Sequence, residues 1–163
     1  MTEQERQRRI VAGYLWEDTE EYIAHQAWVK NLMYDFNTSR PSEVDKRRAL
    51  MKQMFGEVGE NVWINQPLTL AVGSTVRIGE GTYINSGLIL IDDYEITIGK
   101  DCLFGTGVTL CTTGHPIDPE ERAKGGCIPS RSPSRTAPGS ALGRSCCPGS
   151  PSAGTRSSAR AAW

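Results

Sequence analysis

Between Val72 and Leu110 an aliphatic residue or Phe returns at every sixth position, with one two-residue slip. The recurring residues are Val72, Ile78, Ile84, Leu90, Ile98, Phe104 and Leu110, and glycine follows four of them, at Gly73, Gly79, Gly99 and Gly105. A period of six matches neither a helix nor a free strand. It is the period of a parallel β-helix built from hexapeptides. Each block supplies one short strand and a corner, so three blocks close a triangular coil. The recurring aliphatic points into the prism, and glycine takes the corner backbone. The pattern predicts a mainly β fold: a left-handed parallel β-helix of hexapeptide repeats.

Ahead of the repeats the period becomes helical. Tyr22, Val29, Leu32, Met33 and Phe36 recur near 3.6 residues. Asp18 is placed to cap this helix and Glu21 to complete an acidic capping box, with an end expected near Asn37. A second helix is expected to start at Ser42 or Asp45 behind Pro41. It would bury Val44, Leu50, Met51, Met54 and Phe55 and stop at Gly56. Trp63, Ile64, Leu68 and Leu70 form a lead-in to the first coil. The expected organisation is a small α-helical cap over 9–60, an incomplete β-helix over 61–126 and a tail over 127–163.

Composition sets the tail apart. All 19 acidic residues precede Cys127, whereas the segment beyond Gly126 holds five Arg (Arg131, Arg135, Arg144, Arg156, Arg160) and no Asp, Glu or Lys. Ser, Pro, Gly, Ala and Arg dominate it, and Ile128, Leu142 and Trp163 are too few to offset the ordering entropy, so the C-terminal tail is expected to be disordered. Sparse Arg without interleaved aromatics argues against a nucleic-acid-binding arm. These residue types are the ones GC-rich codons give, which points to a shifted reading frame or a splicing error in place of further coils. Sequencing the transcript across the codons for Gly125 to Cys127 tests this.

The five cysteines show neither CxxC nor Cys/His ligand spacing. Cys102 and Cys111 are expected as small wall residues of the prism, and no disulfide framework is expected. That favours a reducing compartment. The opening MTEQERQRRI is charged, and no run approaches membrane-spanning length, so a soluble cytoplasmic protein without membrane or nucleic-acid partners is expected. No metal is expected either. A zinc enzyme on this coil would need three histidine ligands, and the chain has two.

His25 falls inside the first helical pattern and reads as a partly exposed helix residue. His115 falls in TTGHPID, where the last block breaks into a loop held by Pro116 and Pro119. Asn85 takes the second position of INSGLI, where a side chain leaves the prism at a corner, and Asp93 lies beside the two-residue slip. From the residues alone these are a loop histidine, a corner amide, a loop carboxylate and, for Asp18, a helix cap.

The stretches AGYLWED, LMYDFNTSRPSEVDKRRALMKQMFGEVGENVWI, YINSGLILIDDYEITIG and VTLCTTGHPIDPEERAKGG resemble the maltose and galactoside O-acetyltransferases and their nodulation-protein relatives. The resemblance spans roughly residues 9–126. It implies a homotrimer that moves an acetyl group from acetyl-CoA, as co-substrate, to a hydroxyl of maltose, a galactoside or a similar sugar. On that resemblance His115 is the general base and Asp18, Asn85 and Asp93 bind the sugar. A sugar hydroxyl is a poor nucleophile, so a base must take its proton as it attacks the thioester carbonyl, and imidazole suits this near neutral pH. Ala71 stands where the family has Ser, and Cys127 where it has Met. The family continues with further coils that hold CoA, where this chain has its tail. The alternative expectation is therefore an inactive truncated pseudoenzyme, or a dominant-negative subunit lacking the CoA-binding coils.

Overall fold

The computed structural model describes residues 1–129, together with the backbone pairing of 135–136 and 140–141. Three helices come first: α1 (Glu3–Ala12), α2 (Glu20–Thr38) and α3 (Val44–Met54). Strands follow in sets of three, one per prism face. The first coil holds β1 (Glu57–Val58), β2 (Trp63–Ile64) and β3 (Leu68–Leu70), and the second holds β4 (Val76–Ile78), β5 (Tyr83–Ile84) and β6 (Leu88–Ile91). The third holds β7 (Ile96–Ile98), β8 (Leu103–Phe104) and β9 (Thr109–Cys111). All stack in parallel. Arg77 pairs with Glu57 and Thr97, Tyr83 with Trp63 and Leu103, and Ile89 with Thr69 and Thr109.

Those partners lie 20 residues apart on every face, so the two-residue slip occurs once in each coil rather than once in the chain. Ile78, Ile84, Leu90, Ile98 and Phe104 are buried in the prism as the six-residue pattern requires. Val72 is the correction: it sits in the corner between β3 and β4, and the first coil's inward residues are Val58, Ile64 and Leu70. The coil therefore begins at Glu57, inside the segment expected to belong to the cap.

A buried carboxylate holds the extra corner residues in place. Asp92 Oδ1 accepts the N–H groups of Ala71 (2.9 Å) and Val72 (3.1 Å); its Oδ2 accepts Gly73 N–H (2.6 Å) and the Thr75 hydroxyl (2.7 Å). One layer on, Thr112 does the same more weakly, accepting Tyr94 N–H at 3.0 Å and donating to the Ile91 carbonyl at 2.9 Å. Gly73 has φ +76°, and a Cβ there would lie 2.3 Å from the Met54 carbonyl oxygen, so this corner admits only glycine. Another corner repeats a left-handed residue at Asn61, Gly81 and Asp101 (φ 56°, 72° and 53°).

The cap closes the open end of the stack, which would otherwise expose strand edges and apolar interior. Val29 and Phe36 of α2 and Leu50, Met51 and Met54 of α3 are buried in one cluster with the prism residues. Polar side chains satisfy the first coil's edge. Asn37 both donates to the Leu68 carbonyl and accepts its N–H, at 2.8 Å each. Buried Arg47 donates to the Ile64 carbonyl at 2.7 Å and stacks over Phe36. Gln66 reaches back to the carbonyls of Phe36 and Ser39.

Several local expectations change. Thr19, not Asp18, caps α2 by accepting Tyr22 N–H, because the helix starts at Glu20; Asp18 is exposed and no box with Glu21 forms. The second helix begins at Val44, which is 41% exposed instead of buried, and Glu43 at its start makes no side-chain cap. Helix α1 was not foreseen. Its apolar content is low, and it is held by Arg6 and Ile10, the two residues it buries.

After β9 the chain leaves the prism as β10 (Thr113–Gly114), α4 (Pro119–Ala123) and β11 (Ile128–Pro129). It is back on the coil faces at β12 (Arg135–Thr136), parallel to β7, and β13 (Ser140–Ala141), parallel to β8. At those positions, and at Cys127 to Pro129, the chain is in β pairing rather than unstructured. The remainder of the expected disordered tail lies outside the described residues.

Candidate active site

The excursion after β9 carries His115. Strands β10 and β11 pair antiparallel, Thr113 with Pro129 and Gly114 with Ile128, so His115 and Cys127 are the next neighbours in register. Cys127 Sγ lies 3.9 Å from His115 Nδ1. The loop is fastened to the cap by a reciprocal backbone pair: Trp16 N–H donates to the Cys127 carbonyl at 3.0 Å, and Cys127 N–H to the Trp16 carbonyl at 2.9 Å. Gly126 permits this contact, since a Cβ there would meet the Leu15 side chain at 2.6 Å. Asp118 caps α4 through the N–H groups of Glu120 and Glu121, shaping the far side of the loop.

His115 Nδ1 stands 3.2 Å from the Gly126 carbonyl oxygen. A carbonyl only accepts, so Nδ1 carries the proton and donates it, leaving Nε2 with a free lone pair. The ring is exposed. A backbone carbonyl thus sets the tautomer of the imidazole, as a second group orients the base in nucleophilic triads.

Asp93 is buried in the corner after β6. The Tyr22 hydroxyl donates to its Oδ1, and Arg6 Nη2 lies 3.8 Å from the same oxygen. Burial, then the hydrogen bond to Asp93 and that carboxylate's charge, raise the Tyr22 phenol well above its ordinary range, and Asp18 adds to the shift. The Cys127 thiol is pushed up to about 11 by burial and by the charges of Asp18 and Asp93. Both carboxylates are therefore felt at the thiol that touches His115. Cys127 thus stands against His115 and within the electrostatic reach of Asp18 and Asp93, where the excursion meets the cap.

Asn85 is not gathered with them. It follows β5 at the corner between the second and third prism faces, whereas Asp93 lies at the corner between the third and the first. Its Oδ1 accepts Ser86 N–H at 2.8 Å. His25 is half-buried on α2, with Nε2 2.9 Å from the Val72 carbonyl. Sequence reasoning took Tyr22 as core only and did not single out Arg6 or Trp16. The available signal was chemical: a buried phenol needs a partner for its hydroxyl. Among the described residues no group of three His, Cys, Asp or Glu side chains is placed to hold a metal, and no helix is long and apolar enough to cross a membrane.

A helical cap on a coil of six-residue repeats is the architecture of the hexapeptide-repeat acetyltransferases. The maltose acetyltransferase hexapeptide capping motif matches residues 9–59. Over 118 residues the chain is 46% identical to the galactoside O-acetyltransferase of Escherichia coli K12, covering 72% of this chain and 58% of that one. Among solved structures, a galactoside acetyltransferase in complex with coenzyme A superposes with a TM-score of 0.73 at 43% identity, over 76% of this chain and 62% of that one. A hexapeptide-repeat acetyltransferase of Vibrio cholerae O1 biovar eltor, complexed with acetyl-CoA, superposes with a TM-score of 0.69 at 28% identity, over 79% of this chain and 68% of that one. The chain belongs to the maltose and galactoside O-acetyltransferase family. It spans between 51% and 65% of the length of four curated relatives that it matches.

Proposed function

We propose that the chain is an acetyl-CoA-dependent O-acetyltransferase acting on a sugar hydroxyl, a galactoside or maltose being the favoured acceptor class. The observation that carries this is the 3.2 Å contact between His115 Nδ1 and the Gly126 carbonyl: a proton donated there from Nδ1 leaves Nε2 as a base open to an incoming alcohol. Asp18 and Asp93 are acceptors for sugar hydroxyl donors. As the sugar oxygen attacks the thioester carbonyl, its proton passes to Nε2. Collapse of the tetrahedral species expels the CoA thiolate, which takes that proton back from the imidazolium.

Asn85, one corner away in its own chain, joins the acceptor site from a neighbouring copy across the cleft of a homotrimer. The free thiols of Cys102, Cys111 and Cys127 suit a reducing cytoplasm. The test is to incubate the purified chain with acetyl-CoA and methyl β-galactopyranoside and follow the sugar by mass spectrometry. The proposal expects acetyl-CoA-dependent gain of one acetyl group, abolished in His115→Ala. Sugar binding without acetyl transfer would favour the inactive pseudoenzyme or dominant-negative subunit instead, and absence of both would overturn the acceptor site.

A further inference from the structure

We infer that Arg6, carried by α1, is a positioning residue that orients Asp93 toward the acceptor through Tyr22; this rests on Asp93 being an acceptor ligand. Arg6 and its partner Glu3 lie ahead of the segment matched by the family's capping motif, which begins at residue 9. A charged opening helix would ordinarily lie in solvent. Here it delivers the guanidinium of Arg6, a residue only 1% exposed, into the junction of cap and coil.

Two aromatic rings and one carboxylate hold that guanidinium. Its central carbon lies 4.3 Å from the Trp16 ring centroid and 3.6 Å from that of Tyr22, and the two rings meet edge to face with centroids 6.0 Å apart. Nη1 donates to Glu3 Oε1 at 2.9 Å. Glu3 is itself clamped, with Oε2 accepting the Thr19 hydroxyl at 2.5 Å and Oε1 accepting Gln7 Nε2 at 2.8 Å. Nε and Nη2 have no hydrogen-bond partner among the described groups. The remaining charge falls on Asp93, 3.8 Å from Nη2.

Tyr22 completes the device. Its ring stacks on Arg6, its hydroxyl donates to Asp93 Oδ1, and it accepts Gln26 Nε2 at 2.7 Å. Both the phenol and the guanidinium address Oδ1. The second oxygen, Oδ2, is left to the acceptor. An anion held on one oxygen presents the other in a fixed direction, which is what hydroxyl recognition requires. A guanidinium suits this post, because it stays charged when buried and stacks on aromatic faces.

The experiment titrates methyl β-galactopyranoside into the full chain by NMR, for wild type, Arg6→Gln, Tyr22→Phe and the double variant. Each single change is expected to weaken sugar affinity roughly tenfold, and the double change by little more, because both act through one carboxylate. A merely structural role predicts independent losses that multiply. Arg6→Lys, which keeps the charge, is expected to recover part of the affinity. A folded Arg6→Gln chain that binds as wild type, or a double variant whose loss is the product of the singles, would overturn the inference. If Arg6→Gln does not melt cooperatively, Glu3→Gln releases the clamp while leaving Arg6 in place; unchanged affinity in that folded variant overturns the inference equally. A wild type that binds no galactoside overturns the acceptor reading itself, so the two failures are distinct.

Discussion

Replacing Asp92 with Ala removes the carboxylate that holds the corner between the first and second coils. The main-chain consequences can be followed atom by atom. Ala71 N–H keeps the Leu90 carbonyl at 3.1 Å, and the Thr75 hydroxyl keeps the Asp92 main-chain carbonyl at 2.5 Å. Val72 and Gly73 lose the acceptors that Asp92 supplies at 3.1 and 2.6 Å. Leaving a buried donor unsatisfied costs about 1–3 kcal/mol, so two of them predict about 2–6 kcal/mol. Against a domain stability of about 5–15 kcal/mol that is a large fraction. At about 2–4 °C per kcal/mol for a chain of this size, the thermal midpoint should fall by roughly 10 °C. Asp92→Asn retains one oxygen and should fall in between. The assay is urea unfolding followed by far-UV circular dichroism, with m-values compared to confirm the same transition. A loss below about 1 kcal/mol in Asp92→Ala at unchanged m would refute the claim that this carboxylate sets the 20-residue coil.

Arg47→Ala strips two hydrogen bonds, to the Ile64 carbonyl and Ser39 hydroxyl, from the contact between cap and first coil; the expected loss is about 2–4 kcal/mol in the same unfolding assay. Glu3 has its pKa lowered: burial acts upward, but bonds from Thr19, Gln7 and Arg6 outweigh it. Its contribution is therefore present above the ordinary value of 4.5 and lost as pH falls through the depressed folded value. The melting gap between wild type and Glu3→Gln should be largest near neutral pH and close on acidification. A pH-independent gap would contradict this. With its pKa pushed up to about 11, Cys127 should be alkylated slowly by N-ethylmaleimide at pH 8, and the rate should rise about tenfold per pH unit until near that value; peptide mass spectrometry reads it directly. If Asn85 reaches the site from a neighbouring copy, inactive His115→Ala and Asn85→Ala chains refolded together should regain measurable acetylation, whereas separate samples should not.

The interior of the prism was legible because its chemistry is one-dimensional. Ile78, Ile84, Leu90, Ile98 and Phe104 each fill the same space one block apart, so spacing alone identified them. The corners were less legible, since what permits a two-residue insertion is a side chain in the next layer. Nothing local to Val72 announces that Asp92, 20 positions on, accepts its N–H. Placing the α2 start at Asp18 instead of Thr19 was an error of one residue, between two types that both cap helices. Helix α1 escaped notice because it buries a cation in place of an apolar stripe. For the site, TGHPID identified the loop, and Asp93 lay beside the two-residue slip. Its ties to Tyr22 and Arg6 are contacts across 71 and more positions, which a helical period reports only as core. Asn85 shows the converse: a resemblance assigned it to the site, while one chain's geometry keeps it a corner away.

The most direct test is the state of the two imidazoles in the chain. Long-range 1H–15N correlation of His25 and His115, recorded with and without methyl β-galactopyranoside, reports the tautomer and the sugar contact together. The account predicts a His115 ring protonated on Nδ1 with Nε2 bare, and His115 signals that move on adding sugar while those of His25 stay. A proton on His115 Nε2, or a sugar response confined to His25, would contradict it.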